Sequence, residues 1–485
     1  MQVRELEPKT IWNHFEDLNA VPRPSKKEER VRAFMVDFGK SNGLQVLEDD
    51  CGNIIIKKAA TAGMESKATV IIQSHLDMVH QKNNDTDFDF LTQGIQSWID
   101  GDWVKAKGTT LGADNGMGVA AAMTLLSSKD IDHPALECLF TIDEETGMTG
   151  AKELDGSLLT GEYLLNLDTE DDDEISIGCA GGIDTNTSYS YDSVSTSSNS
   201  IAFEITLKGL KGGHSGMDIH IGRGNANLLL NRLIFEFSCF GNVQLASFEG
   251  GGLRNAIPRE AKCIVVVDGD KNEGFFNVYN TITTEITSEF SVVEPSMTFS
   301  IKETSLPNSV VSIYDMPKIL GAIYNAPNAV WKMSDKIEGL VETSSSLAKV
   351  SIKDGKFITQ SLQRSMIESG KRDIANALRI NFERIGADVV QNGDYPGWAP
   401  NPDSKILDIV VSKYKAMYNE VPKVQACHAG LECGILNKHL PNCDMVSFGP
   451  TIKNPHSPDE KVNIKSVLKF WGFLLEVLKE IPNKK

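Results

Sequence analysis

No stretch of this 485-residue chain is long and apolar enough to suggest a membrane span: none approaches the roughly 18–20 consecutive apolar residues such a helix needs. The opening MQVRELEPKTIWNHFEDL lacks the basic-then-apolar order of a secretory signal, so a cytoplasmic location is expected. Basic residues are in the minority, with 48 Lys and Arg against 66 Asp and Glu and a net charge of −18. That deficit argues against nucleic acid as a partner, because phosphate recognition needs clustered Lys and Arg. Cysteine is sparse too. Eight are scattered along the chain, at Cys51, Cys138, Cys179, Cys239, Cys263, Cys427, Cys433 and Cys443, and no two stand in C-x-x-C spacing. This excludes the dense disulfide framework of a small secreted domain and disfavours a thiolate zinc site. Core material is not lacking: 41% apolar and 24% charged residues is the balance of an ordinary globular protein, which excludes disorder as the main state. At roughly 150 residues per domain the length predicts two or three domains.

Between Val46 and Asp168 short β-rich runs alternate with helical stretches. ATVIIQS (68–74), ALECLFTI (135–142) and YLLNL (163–167) are continuous apolar runs, as expected of strands buried on both faces. GMGVAAAMTLLSS (116–128) is small and apolar enough for a helix packed on a sheet. The alternation predicts an α/β domain with a mixed, largely parallel sheet flanked by helices. YSYDSVSTSSNS (189–200) reads as a linker or exposed loop. Strands and amphipathic helices then run to about Val390 in two similar passages, predicting an inserted α+β lid domain over 185–390 with two sub-units. After the Pro/Gly punctuation of YPGWAPNPDS (395–404) the α/β texture returns, with a strand at CDMVSF (443–448) and a helix over 457–481. Ser457 is its expected cap and Pro458 its first residue, and Val467, Leu468, Trp471, Leu474, Leu475 and Leu478 form its apolar face. The catalytic domain is therefore expected from 1–184 and 391–485.

Candidate metal ligands fall at the ends of these strands. His75 and Asp77 follow the first run, Glu144 and Glu145 the second and Asp168 the third. His456 follows the 443–448 strand, and Asp114 sits in a Gly-rich turn that opens the 116–128 helix. In open α/β sheets ligands bind beyond the carboxyl ends of the strands, so these segments point at one crevice. Two imidazoles and several carboxylates suit Zn²⁺, with Mn²⁺ or Co²⁺ as alternatives. One carboxylate can bridge two ions about 3.5–4 Å apart and so lower the pKa of a shared water toward about 7. A free neighbouring carboxylate can then take the proton, which suits the Glu144–Glu145 pair to a division between base and ligand. Asp77, two residues beyond His75, could orient its ring. Singly, a His-x-Asp or Glu-Glu pair is ordinary surface chemistry. The acidic run DTEDDDE (168–174) reads as a solvated face beyond Asp168.

H-L-D-M-V, T-L-G-A-D-N-G, D-E-E-T-G, N-L-D and P-H-S-P-D-E, in this order, resemble the co-catalytic zinc metallopeptidases that include carnosinase, peptidase V, aminoacylase and carboxypeptidase G. The resemblance spans essentially the whole chain. It extends to the bacterial aminoacyl-histidine dipeptidases through G-T-T-L-G-A-D-N-G (108–116), L-K-G-L-K-G-G-H-S-G (207–216), L-R-N-A-I-P-R-E-A (253–261) and H-A-G-L-E-C-G (428–434). It implies His75 and Asp168 on one metal, Glu145 and His456 on the other, Asp114 as bridge, Glu144 as general base and Asp77 as the orienter of His75. Asp at position 168, where some relatives carry Glu, goes with aminopeptidase and dipeptidase activity in that family.

The same resemblance makes His214 the lid group that stabilises the tetrahedral oxyanion, and Asn255 and Arg364 binders of the substrate. By residue type alone, among its flanking glycines, His214 reads as a turn histidine. The expected reaction is hydrolysis of short dipeptides, Xaa-His dipeptides such as carnosine among them, by a metal-bridging hydroxide. A long lid resembles the doubled lid of peptidase V, which can supply the histidine within one chain; a homodimer is left open. An N-acyl amino acid deacylase with the same metal centre is the alternative, and a non-enzymatic metal-stabilised binding protein is the other class considered.

Overall fold

The computed structural model describes residues 2–83, 85–240, 243–269, 272–401 and 403–484, without the side chains of 239, 240, 272 and 273; Cys239 and residue 402 of the 395–404 punctuation thus fall outside the described side chains. The chain forms two compact units. The first comprises Met1–Cys179, Trp398–Ala426 and Leu431–Lys485, and the second Ala180–Gly397 with Cys427–Gly430.

The first unit is built on an eight-stranded sheet in the order Gln45–Glu48, Ile54–Lys58, Leu136–Thr141, Val70–His75, Tyr163–Asn166, Asp444–Ser447, Glu174–Cys179 and Lys423–Cys427. The four central strands, from Leu136–Thr141 to Asp444–Ser447, run parallel, and both flanks are antiparallel. The Leu136–Thr141, Val70–His75 and Tyr163–Asn166 strands are buried along their whole length, as their apolar stretches 70–72, 138–140 and 163–165 lead one to expect, with Gln73, Ser74, His75, Glu137, Thr141 and Asn166 as buried polar residues among them. The helix Ala113–Ser127 packs so closely that a Cβ on Gly118 would meet Ser74 Oγ at 2.6 Å and the Leu167 carbonyl at 2.8 Å. Position 118 has no room for a side chain.

The last helix departs from expectation. It spans Ile464–Lys479 and is capped by Asn463, whose side chain accepts from the Ser466 N–H. Residues Lys461–Asn463 instead form a strand paired with Trp103–Ala106, which forbids helix there despite the Ser-Pro-Asp-Glu text. Its buried face comprises Val467, Phe470, Trp471, Phe473, Leu474, Val477 and Leu478, whereas Leu468 is 52% exposed.

In the second unit nine strands form one antiparallel sheet in the order Thr298–Thr304, Ser200–Lys208, Ala261–Asp268, Val243–Gly251, Val341–Lys353, Lys356–Ser365, Gly181–Ser190 and Asp388–Tyr395, with Ala329–Met333 also paired to Val341–Lys353. The two strand–helix passages read from the sequence are joined where Val243–Gly251 pairs with Val341–Lys353, and one apolar core around Phe203, Phe237, Phe248, Phe357 and Phe382 runs through both. The unit begins at 180 rather than 185 because Gly181 and Gly182 already pair with Ser365 and Arg364. Part of the presumed 189–200 loop is structured. Tyr189 and Ser190 close the Gly181–Ser190 strand, Ser193–Ser195 pairs with Ser309–Val311, and the Asp315 carboxylate accepts from the Tyr189 hydroxyl at 2.7 Å and the Asp192 N–H at 2.9 Å.

Candidate metal centre

At the carboxyl ends of the parallel strands the first unit gathers the seven side chains singled out in its sequence. Asp114 divides its carboxylate between two imidazoles: Oδ1 lies 3.2 Å from His75 Nε2 and Oδ2 lies 3.3 Å from His456 Nε2. Asp168 Oδ1 stands 3.5 Å from His75 Nε2, and Glu145 Oε2 stands 2.9 Å from His456 Nε2. Two sets of donors, each an imidazole with its own carboxylate, thus share Asp114. Zn²⁺ bonds of about 2.0–2.1 Å at a tetrahedral angle would put neighbouring donor atoms roughly 3.3 Å apart, so the spacing fits the ion. The loops reach this geometry through left-handed backbone at Asp143, Met148, Asn454 and His456, where φ lies between 51° and 60°.

Charge balance points the same way. Burial works against ionisation of Asp114, yet hydrogen bonds from His456 and His75 hold its carboxyl below the ordinary range. Bonds to Asp114 and Glu145 push His456 up to about 11, and the carboxylates around His75 outweigh its burial. Burial first, then neighbouring carboxylates, raises Glu144, Glu145 and Asp168. This excess of negative charge is what a divalent cation would neutralise.

Asp77 does more than face His75. Its Oδ1 is 3.5 Å from His75 Nδ1, which lies nearer the Asp77 carbonyl at 3.2 Å. The same carboxylate accepts the Glu144 N–H at 3.0 Å and the Glu145 N–H at 3.3 Å, so it fastens the loop carrying both glutamates.

Three supporting residues escaped the sequence reading. The buried Arg23 guanidinium donates to the carbonyls of Leu76, Asp77 and Gly112 at 3.2, 3.2 and 2.6 Å, tying two ligand loops together; burial lowers its pKa to about 10. Glu460 accepts from the backbone N–H groups of Leu111, Gly112, Ala113 and Asp114 at 2.7, 3.0, 2.7 and 3.3 Å. It therefore caps the Ala113–Ser127 helix at the point where Asp114 projects. Asn115 donates to the Leu167 carbonyl at 3.0 Å and to Asp168. Their targets are mostly backbone groups, which carry no residue signature; only the D-N pair and P-H-S-P-D-E hinted at two of them. The acidic run is not simply solvated: Asp171, Asp172 and Asp173 pair with Lys453, Lys469 and Lys423 at 2.5, 2.7 and 2.9 Å.

The second unit holds the remaining candidates. His214 Nδ1 accepts the N–H groups of Gly216 and Met217 at 3.2 and 3.0 Å, which leaves the ring hydrogen on Nε2. Arg364 Nη2 lies 3.5 Å from that nitrogen and Nη1 donates to the Tyr395 hydroxyl at 3.0 Å. Burial, then Arg364, lowers His214 to about 4, so it is a neutral donor at pH 7. Asn255 sits in an exposed turn whose carbonyl accepts the Ser215 N–H at 2.8 Å. His428, also buried, bonds Ser344 Oγ at 2.7 Å through Nε2.

A family model described as peptidase family M20/M25/M40 matches residues 71–480. The chain is similar to the cytosol non-specific dipeptidase of Escherichia coli (strain K12), 42% identical over 483 residues with 100% of both chains covered. Among solved structures it is similar to aminoacylhistidine dipeptidase from Vibrio alginolyticus, with 43% identity and a TM-score of 0.95 over 100% of this chain and 99% of that one. It shares a fold with the aminopeptidase PepT from Bacillus cereus, 17% identical with a TM-score of 0.56 over 98% and 99% of the two chains.

Proposed function

Because the chain belongs to peptidase family M20/M25/M40 and is thus a peptide hydrolase, we propose that it is a dinuclear metallodipeptidase whose substrates include Xaa-His dipeptides such as carnosine. The observation that carries this reading is the shared Asp114 carboxylate between His75 and His456. His75 and Asp168 would hold one divalent cation and Glu145 and His456 the other, with Asp114 common to both. Zn²⁺ suits this donor set, and Mn²⁺ or Co²⁺ could replace it. When bound, the ions supply Lewis acidity toward water and the peptide carbonyl.

The protein's own groups do the rest. Glu144 ligates nothing in this assignment, and burial pushes its carboxyl well above the usual range, which makes its carboxylate a stronger proton acceptor. It takes a proton from the attacking water and passes it to the leaving amine. Asp77 holds the His75 ring and the Glu144 backbone while this happens. His214, with its hydrogen on Nε2, donates to the developing oxyanion, an interaction worth about 10²–10³-fold in rate. Arg364 and Asn255 bind the substrate, Arg364 by gripping its carboxylate. A cytoplasmic location follows the name of the Escherichia coli relative, and among the described residues no helix is long and apolar enough to cross a membrane.

A hydrolysis panel tests the substrate class. Free-amine dipeptides, including Xaa-His, should be cleaved, while N-acetyl and N-succinyl amino acids should be poor substrates. Preference for the N-acyl compounds would replace this reading with a deacylase.

A further inference from the structure

Directly beneath the ligands a row of polar side chains crosses the parallel strands. Ser447 Oγ donates to Asn166 Oδ1, and Asn166 Nδ2 donates to Gln73 Oε1. Gln73 Nε2 then donates to Glu432 Oε2 at 2.7 Å, and Thr141 Oγ1 donates to the same oxygen at 2.7 Å. All five are buried, Glu432 to 1% exposure. Asn166 is in register with both Gln73 and Ser447, and Thr141 with His75. Four of the five lie just before a candidate site residue in sequence: Gln73 before His75, Thr141 before Glu144 and Glu145, Asn166 before Asp168, and Ser447 before the loop that reaches His456.

Glu432, at the start of the Glu432–His439 helix, is the one charged member of this row. Its second oxygen, Oε1, is buried with no hydrogen-bond partner among the described residues. A neutral amide could satisfy the Gln73 and Thr141 donors through one oxygen without the penalty of burying a charge. Packing alone therefore does not account for a carboxylate here. Burial pushes its carboxyl up to about 7, and His75 and Asp168, both ligands assigned to the same ion, are among the charged groups that act on it.

We propose that Glu432 is a positioning residue of the metal centre: through Gln73 and Thr141 it fixes the strand ends that carry His75 and the Glu144–Glu145 pair, and its charge strengthens the hold on the cation at His75 and Asp168. The inference rests on the dinuclear reading. Partners one layer beyond the ligands commonly change metal affinity or activity by about 10–100-fold when lost.

The test is Zn²⁺ affinity by competition with a chromophoric chelator, together with the visible spectrum of the Co²⁺-loaded protein, for wild type, Glu432→Gln and Glu432→Asp. Glu432→Gln should fold and keep one ion near wild-type affinity. It should bind the other about 10–100-fold more weakly and shift the Co²⁺ bands. Glu432→Asp, which keeps the charge, should recover part of that affinity. Should Glu432→Gln fail to fold, Thr141→Val removes one donor to the same carboxylate and should weaken the same ion. Unchanged affinity and spectrum in the folded variants would overturn the proposal and leave the dinuclear reading intact. A wild-type protein that binds no second ion would overturn the dinuclear reading first.

Discussion

Asp114 and Glu144 stand in the same cluster of buried charge but meet different demands. Asp114 is surrounded by hydrogen-bond donors, which hold it ionised, and Glu144 is left to the desolvation that raises its carboxyl. Replacing Glu144 by Gln should therefore retain fold and metal content but lower kcat by about 10²–10⁴-fold, because an amide cannot take the proton. Metal analysis beside steady-state kinetics checks this, and near wild-type turnover would remove Glu144 from the base role. His214→Ala should reduce kcat by about 10²–10³-fold with little change in KM, since a bond to the oxyanion exists chiefly in the transition state. An unchanged kcat would exclude it from the mechanism. At this scale the candidate ligands were legible because metal chemistry demands particular side chains at strand ends. Arg23, Glu460 and Glu432 were not legible, since they act through backbone groups or through ordinary Gln and Thr partners.

The central strands were readable because a strand buried on both faces is mostly apolar without alternation, as 70–72 and 163–165 are. The last helix was misread at its start because Ser457 to Glu460 has the composition of a helix N-terminus, while Glu460 caps a different helix, Ala113–Ser127. Glu460→Gln would leave two of those buried N–H groups facing an amide nitrogen. At about 1–3 kcal/mol for each unsatisfied group, stability should fall by roughly 2–6 kcal/mol. Chemical denaturation in the presence of chelator isolates this loss from metal binding, and an unchanged midpoint would contradict the capping role.

The second unit carries a pH signature. Burial, with Arg364, His214 and His220 nearby, lowers His428 to about 3, and burial with Arg364 lowers His214 to about 4. Between about pH 6.5 and 4 the unfolded histidines bind protons that the folded ones refuse, so stability should fall as pH falls through that window. Against the wild type, His428→Gln should lose less stability, or gain more, in urea between pH 7 and pH 5. Equal slopes would show that His428 titrates normally in the folded protein.

On the scale of the whole chain, segments separated by almost three hundred residues build one sheet: Asp444–Ser447 lies parallel to Tyr163–Asn166 and supplies the strand that leads to His456. The return of α/β texture after 404 signalled this. That the inserted segment is one continuous sheet did not show, because the strand at 243–251 and the strand at 341–353 pair across about ninety residues of intervening text with no local mark. The two donor sets joined by Asp114 make the central claim quantitative: catalysis needs two ions per chain. The most direct test strips the protein with chelator and restores Zn²⁺ stepwise while following both bound metal and hydrolysis of an Xaa-His dipeptide. Activity should reach its maximum at two ions per chain; a maximum at one ion, or full activity with none, would contradict the account.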